Sequence, residues 1–235
     1  KAMPGSVLVV NDLGLEEGGP IRQHGSHQAG RDADILFYSV DDKGVPLPSV
    51  GVPIDPQGKG TDFKDLADPS DDQQVAIDVP RTWRFAQELI EVSGGQLQRM
   101  FIVEHVRNML LAEAARVNAP KEIVQRFADM TCQPEYPHDD HMHIRLYCTP
   151  EDMALGCRDS LPNYPHRVAE LAALGLKPLM AAPPRASDNK ASSARKTTPE
   201  EAKKKAGPMH ALVTKFLKQR EAWLKRPSPG RPYCK

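Results

Sequence analysis

Two short stretches that concentrate histidine and aspartate, far apart in the chain, constrain its folding most. The first reads His24-Gly-Ser-His27-Gln-Ala-Gly-Arg-Asp32-Ala-Asp34, and the second His138-Asp-Asp-His141-Met-His143. Five of the eight histidines lie in these two stretches. Imidazole and carboxylate are the usual ligands of zinc, and a catalytic zinc takes three of them plus a water. Each stretch borders an apolar run of strand character, Asp34–Val40 (DILFYSV) and His141–Cys148 (HMHIRLYC). Side chains at i and i+2 of a strand share a face, so His141 and His143 can face one site. His27 and Asp34 stand seven residues apart with Gly30 between them, a residue suited to the turn that would bring both side chains to one ion.

The rest of the chain reads as an α+β domain. Helical spacing of apolar residues appears at Trp83, Ala86 and Ile90 within Thr82–Val92, and at Val106, Met109, Leu110, Ala114 and Val117 within His105–Val117. Pro120 opens a further helix carrying Ile123, Val124 and Phe127, and Tyr164–Leu174 reads as another. Val7–Val10 and Met100–Val103 read as short strands, and 41–74, full of Pro, Gly and Asp, reads as a long loop. The expected architecture is a small antiparallel sheet carrying the zinc site, flanked by helices and long loops, with a C-terminal helical extension. Residues 1–180 form the domain, 181–206 read as an Ala/Ser/Pro/Lys linker, and 207–235 as a basic amphipathic helix and tail.

Charge is strongly polarised along the chain. From Arg185 onward there are 14 basic and 4 acidic residues, so the tail carries +10 and the remainder −10. The tail stripe Met209, Leu212, Val213, Phe216, Leu217, Trp223 and Leu224 calls for a covering surface. Docking on the acidic domain is the favoured reading, and contact with an anionic wall polymer or membrane surface the other. No apolar run approaches the roughly 20 residues of a membrane-spanning helix. The chain opens on Lys1 without a visible signal peptide and is read as a mature or trimmed form. Four cysteines, Cys132, Cys148, Cys157 and Cys234, allow two disulfides in any of three pairings.

With these residues in view, the chain resembles the penicillin-insensitive murein endopeptidases, within the superfamily of lysostaphin-type enzymes, D-Ala-D-Ala metallopeptidases and hedgehog domains. The superfamily pattern H-x6-D followed by H-x-H is matched by His27 and Asp34, then His141 and His143. The family resemblance extends to Gly-Gly-Pro before the site, HGSHQAGRDAD around it and HDDHMHIRLYC after it. It implies one zinc per chain held by His27, Asp34 and His143, with His141 and His138 as catalytic histidines and His24 as a further active-site residue. Asp32 is the alternative carboxylate ligand, although the H-x6-D spacing selects Asp34. Asp139 and Asp140 read either as carboxylates that orient imidazoles or as solvated loop charges. His105, His166 and His210 read as structural or exposed, and Arg145 carries no assigned role. There is no H-E-x-x-H glutamate, so a histidine has to serve as base.

The implied function is hydrolysis of D-alanyl–meso-diaminopimelyl cross-links in peptidoglycan. The competing readings are a carboxypeptidase or amidase on muropeptides, and a non-catalytic wall-binding protein on the same fold. No nucleic-acid partner is expected. The resemblance also implies a short-range disulfide Cys148–Cys157 and, with it, Cys132–Cys234. Two such bonds imply an oxidising compartment, the periplasm or cell exterior.

Overall fold

The computed structural model describes all residues except 1–2, 4–5, 20, 22–23, 25, 135, 183–197 and 225–235. Strand propensity and turn chemistry build two small sheets. In the first, β1 (Asp32–Leu36), β6 (Leu97–Phe101), β7 (Thr131–Cys132) and β8 (His141–Leu146) lie in the order β1-β8-β6-β7. The β6–β7 pair is parallel, so this sheet is mixed where a purely antiparallel one was expected. In the second, β2 (Ser39–Val40), β3 (Pro46–Leu47), β4 (Lys59–Asp62) and β5 (Gln73–Ile77) form an antiparallel order β3-β2-β5-β4.

Period-two alternation divides β8 between two faces. Met142 is fully buried in the main core, with Ile144 packed against that core, and His141 and His143 alternate with them. Helices α1 (Val79–Val92), α2 (Glu104–Arg116) and α3 (Lys121–Met130) close the core side. Trp83 and Ile90 of α1, Val106, Leu110 and Ala114 of α2, and Phe127 and Met130 of α3 are buried there. The Trp83 and Phe127 rings meet edge to face at 5.2 Å. Helix α1 starts where Asp78 accepts from the Arg81 backbone N–H at 3.0 Å, a cap worth about 1 kcal/mol.

Several sequence expectations are corrected here. Val7–Val10 is no regular strand: only Val10 bridges to Ile35. The segment does run along β1, with Leu36 N–H donating to Val9 O and Asp34 N–H to Asp12 O. Three residues therefore span two of β1, a bulge that breaks the ladder. The loop expected over 41–74 contains β3, β4 and the first residues of β5. These strands are too short to show alternation. Gly60 in β4 marks a close approach, because a Cβ there would stand 2.5 Å from Val52 Cγ1 and 2.7 Å from the Pro53 carbonyl. The strand expected over Met100–Val103 ends at Phe101, and Ile102 and Val103 lead into α2 as buried coil.

The linker expected over 181–206 is helical at its end. Helix α6 (Pro199–Ala206) follows a capping box in which Thr198 and Glu201 satisfy each other's backbone N–H groups. Its Ala, Glu and Lys content, read as low complexity, is helix-forming composition. A short helix, α4 (Pro150–Ala154), was also not anticipated, whereas α5 (Pro165–Ala173) was.

Helix α7 (Ala211–Trp223) docks on the domain. Val213 is 3% exposed, Phe216 packs edge to face on Phe63 at 5.5 Å, and the half-buried Leu224 packs against the main core. The His210 N–H donates to Leu66 O at 2.8 Å at one end, and Gln133 Nε2 to Leu224 O at 3.4 Å at the other. The Cys148–Cys157 disulfide is present and closes the loop after β8. The expected Cys132–Cys234 bond involves a residue outside those described. Among the described residues no helix is long and apolar enough to cross a membrane.

Candidate metal centre

Strand pairing brings the two histidine stretches together. Antiparallel β1 and β8 place Asp34 opposite His143 and Leu36 opposite His141. Directly opposed residues have Cβ atoms about 5 Å apart, so both side chains reach one point above the sheet. The segment before β1 turns back at Gly30, whose φ of 65° is costly for a side-chain-bearing residue. Gly19 N–H donates to Gln28 O at 2.9 Å and fixes the far side of the same turn. His27 is thereby folded over Asp34, burying both to 1% exposure.

Three donor atoms converge. His143 Nδ1 stands 2.9 Å from Asp34 Oδ1, His27 Nε2 stands 3.2 Å from the same oxygen, and the two ring nitrogens are 3.2 Å apart. Ligands at zinc distances of about 2.0–2.1 Å in a tetrahedron are separated by about 3.3 Å, so the triangle has the right size. Asp34 Oδ1 is buried and makes no directed hydrogen bond, although a third nitrogen, His141 Nε2, is 3.5 Å away. Buried polar atoms are normally satisfied. An orphaned carboxylate oxygen facing a cluster of imidazoles therefore fits a cation. A looser trio of His24, His27 and Asp34 lies within 4.8 Å. His24 Nδ1 approaches the other oxygen, Asp34 Oδ2, at 3.6 Å, and its Nε2 stands 3.6 Å from Asp12 Oδ2. The shorter mutual distances favour the triangle that contains His143.

Behind the triangle stand groups that orient it. The outer nitrogen of His143, Nε2, lies 3.0 Å from Asp32 Oδ1 and 3.3 Å from Ser26 Oγ. Arg145 Nη1 donates to the same Asp32 oxygen at 3.2 Å. Asp32 thus supports an imidazole through its far side, and Arg145 acquires a place that sequence alone did not give it. His141 Nδ1 donates to Asp140 Oδ1 at 2.6 Å, which leaves Nε2 toward the site. His138 Nδ1 donates to Tyr136 O, and its ring meets His141 at 4.9 Å and His143 at 5.4 Å. Asp139 faces the opposite way and pairs with Arg220. Of the histidines read as structural, His105 donates from Nε2 to Ile54 O at 2.7 Å.

The electrostatics follow these contacts. Burial pushes the Asp34 carboxyl up, but close approach by His143, with His141 and His27, outweighs it and holds the group below the ordinary range. Burial pulls His143 down, and Asp32 with Asp34 more than compensates, so its value is raised. His141 is likewise raised, burial being outweighed by Asp140. His27 is lowered by burial, only partly offset by Asp34. His138 is lowered to about 4, by burial first and then by His141 and His143.

The family model for the penicillin-insensitive murein endopeptidases matches residues 2–204. The chain belongs to this family. No curated protein matches it at a significant level. Every member of the donor triangle and its supporting set, from Ser26 to Arg145, falls within the part of this murein endopeptidase that the family model covers, and α7 lies beyond it. A peptidase of the murein endopeptidase family acts on the cell wall. Sequence reasoning missed Asp32, Ser26 and Arg145 as supporting residues. For Asp32 a signal existed: it shares a strand face with Asp34 at i and i+2.

Proposed function

We propose that the chain is a zinc-dependent endopeptidase that hydrolyses D-alanyl–meso-diaminopimelyl cross-links of peptidoglycan in the periplasm or at the cell exterior. The observation that carries this reading is the triangle of His27 Nε2, Asp34 Oδ1 and His143 Nδ1, with sides of 3.2, 2.9 and 3.2 Å, in a chain of the murein endopeptidase family. These three residues would hold one zinc. When bound, zinc supplies Lewis-acid chemistry, acidifying a water and polarising the scissile carbonyl.

The chain's own residues supply the proton handling. His141 presents Nε2 beside the triangle, and its Nδ1–H is anchored on Asp140, so the ring holds one tautomer and can take a proton at Nε2. A carboxylate partner stabilises the cationic ring that results, as in other His–carboxylate pairs. His138, anchored on a neutral carbonyl, has less support for a positive charge and suits hydrogen bonding to the substrate or to the developing oxyanion. His24 bridges toward Asp34 and Asp12 and positions the carboxylate from outside. Cleavage transfers one proton from water through His141 Nε2 to the leaving amine.

Asp32 gives a test of the supporting set. Asp32→Ala leaves His143 Nε2 without its carboxylate, and loss of such a contact usually costs about 10- to 100-fold in metal affinity or activity. Zinc competition titration of the variant against the parent reads this directly, and an unchanged affinity together with unchanged turnover would remove Asp32 from the site. The reading as a whole is tested by stripping metal from the purified protein with a chelator and titrating zinc back while following murein solubilisation. Activity should vanish and return at about one zinc per chain. Full hydrolysis by verified metal-free protein would defeat the proposal.

A further inference from the structure

Helix α7 lies beyond residues 2–204, the part matched by the family model, yet it reaches the loop that carries His138 and leads into β8 at His141. Arg220 donates from Nε to Asp139 Oδ2 and from Nη2 to Asp139 Oδ1, both at 2.7 Å. This is the two-point fork that makes arginine–carboxylate pairs strong and directional. Asp139 is 1% exposed and stands between His138 and Asp140, the partner of His141.

That loop does not hold itself. His138 has a φ of 52°, a left-handed conformation that costs a non-glycine residue free energy and persists only where its surroundings impose it. Two backbone bonds contribute: Val103 N–H donates to His138 O at 3.0 Å, and Ile54 N–H to Asp139 O at 2.8 Å. Arg220 adds the side-chain anchor, and it does so from a seated helix. Val213 is buried, Phe216 packs on Phe63 and the half-buried Leu224 packs against the main core, so the guanidinium is presented from a fixed frame.

We propose that Arg220 is a positioning residue for the active site: its two-point hold on Asp139 fixes the loop backbone that presents the His138 and His141 rings. This rests on the function proposed above. The C-terminal helix is then part of the catalytic machinery's support, and its docking completes the site. Catalytic geometry is demanding, and a displacement of about 1 Å can cost 100-fold in rate.

The test uses the full chain carrying Arg220→Gln or Arg220→Lys. The kcat and KM for murein peptides and bound zinc are measured at a temperature where each protein is folded by circular dichroism. Arg220→Gln should lower kcat by about 10- to 100-fold, with KM within about twofold of the parent and zinc unchanged. Arg220→Lys, which keeps the charge but not the fork, should recover part of the loss. A folded Arg220→Gln protein with parental kcat would overturn the proposal. Zinc lost in step with activity would overturn it too, because Asp139 would then be supporting the ligands. If Arg220→Gln does not fold, the lysine variant decides: parental kcat there overturns the proposal, and a reduced kcat with full zinc supports it. A parent chain that cleaves no murein defeats the proposed function instead, so the two failures are distinct.

Discussion

Replacing His143 by alanine is expected to empty the metal site and abolish murein hydrolysis together. His143 contributes one corner of the donor triangle, with Nδ1 2.9 Å from Asp34 Oδ1 and 3.2 Å from His27 Nε2. Its other nitrogen carries the contacts to Asp32 and Ser26. On the proposed assignment the substitution removes a ligand and cuts the rest of the site from its support. Losing a supporting contact alone costs about 10- to 100-fold in affinity, so losing the ligand should cost more than about 100-fold. The fold should survive, because the ring lies on the face of β8 opposite Met142 and the main core. Metal analysis of folded, purified His143→Ala protein reads the outcome. Full zinc occupancy in that variant would take His143 out of the ligand set.

His141→Ala should behave differently. Its Nε2 is 3.5 Å from Asp34 Oδ1, farther than either member of the triangle, and its Nδ1 is committed to Asp140. The variant is expected to bind about one zinc per chain yet lose about 100- to 10,000-fold in kcat, the range for a general acid–base group. The contrast between the two variants matters more than either alone. If His141→Ala lost zinc as His143→Ala does, His141 would belong among the ligands. If it cut murein at the parental rate, proton transfer would have to run through His138 or another group.

Much of the site was legible because its chemistry is local in sequence. His141 and His143 share a strand face at i and i+2, and Gly30 marks the turn between His27 and Asp34; both follow from short-range rules. The pairing of Asp34 with His143 does not, since strand register between distant segments leaves no local trace. Asp32 shares a strand face with Asp34, yet only that register brings its carboxylate to the outer nitrogen of His143. The opposed charges of domain and tail suggested docking, but only the folded chain selects Arg220 and Asp139 as the pair. The short strands β3 and β4 escaped because alternation needs more residues than they have. Helix α6 escaped because its alanine- and lysine-rich run was read as a linker, although Thr198 and Glu201 carried a capping signal.

The masses of products released from purified cross-linked murein test the central claim most directly. Digestion by the zinc-loaded protein should convert cross-linked muropeptides into monomers whose stem peptides remain attached to glycan and keep their terminal D-alanine. Monomers shortened by one D-alanine would indicate a carboxypeptidase, and free stem peptides an amidase. A product profile identical to that of undigested murein would make the chain a wall-binding protein, and each of these three results would contradict an endopeptidase.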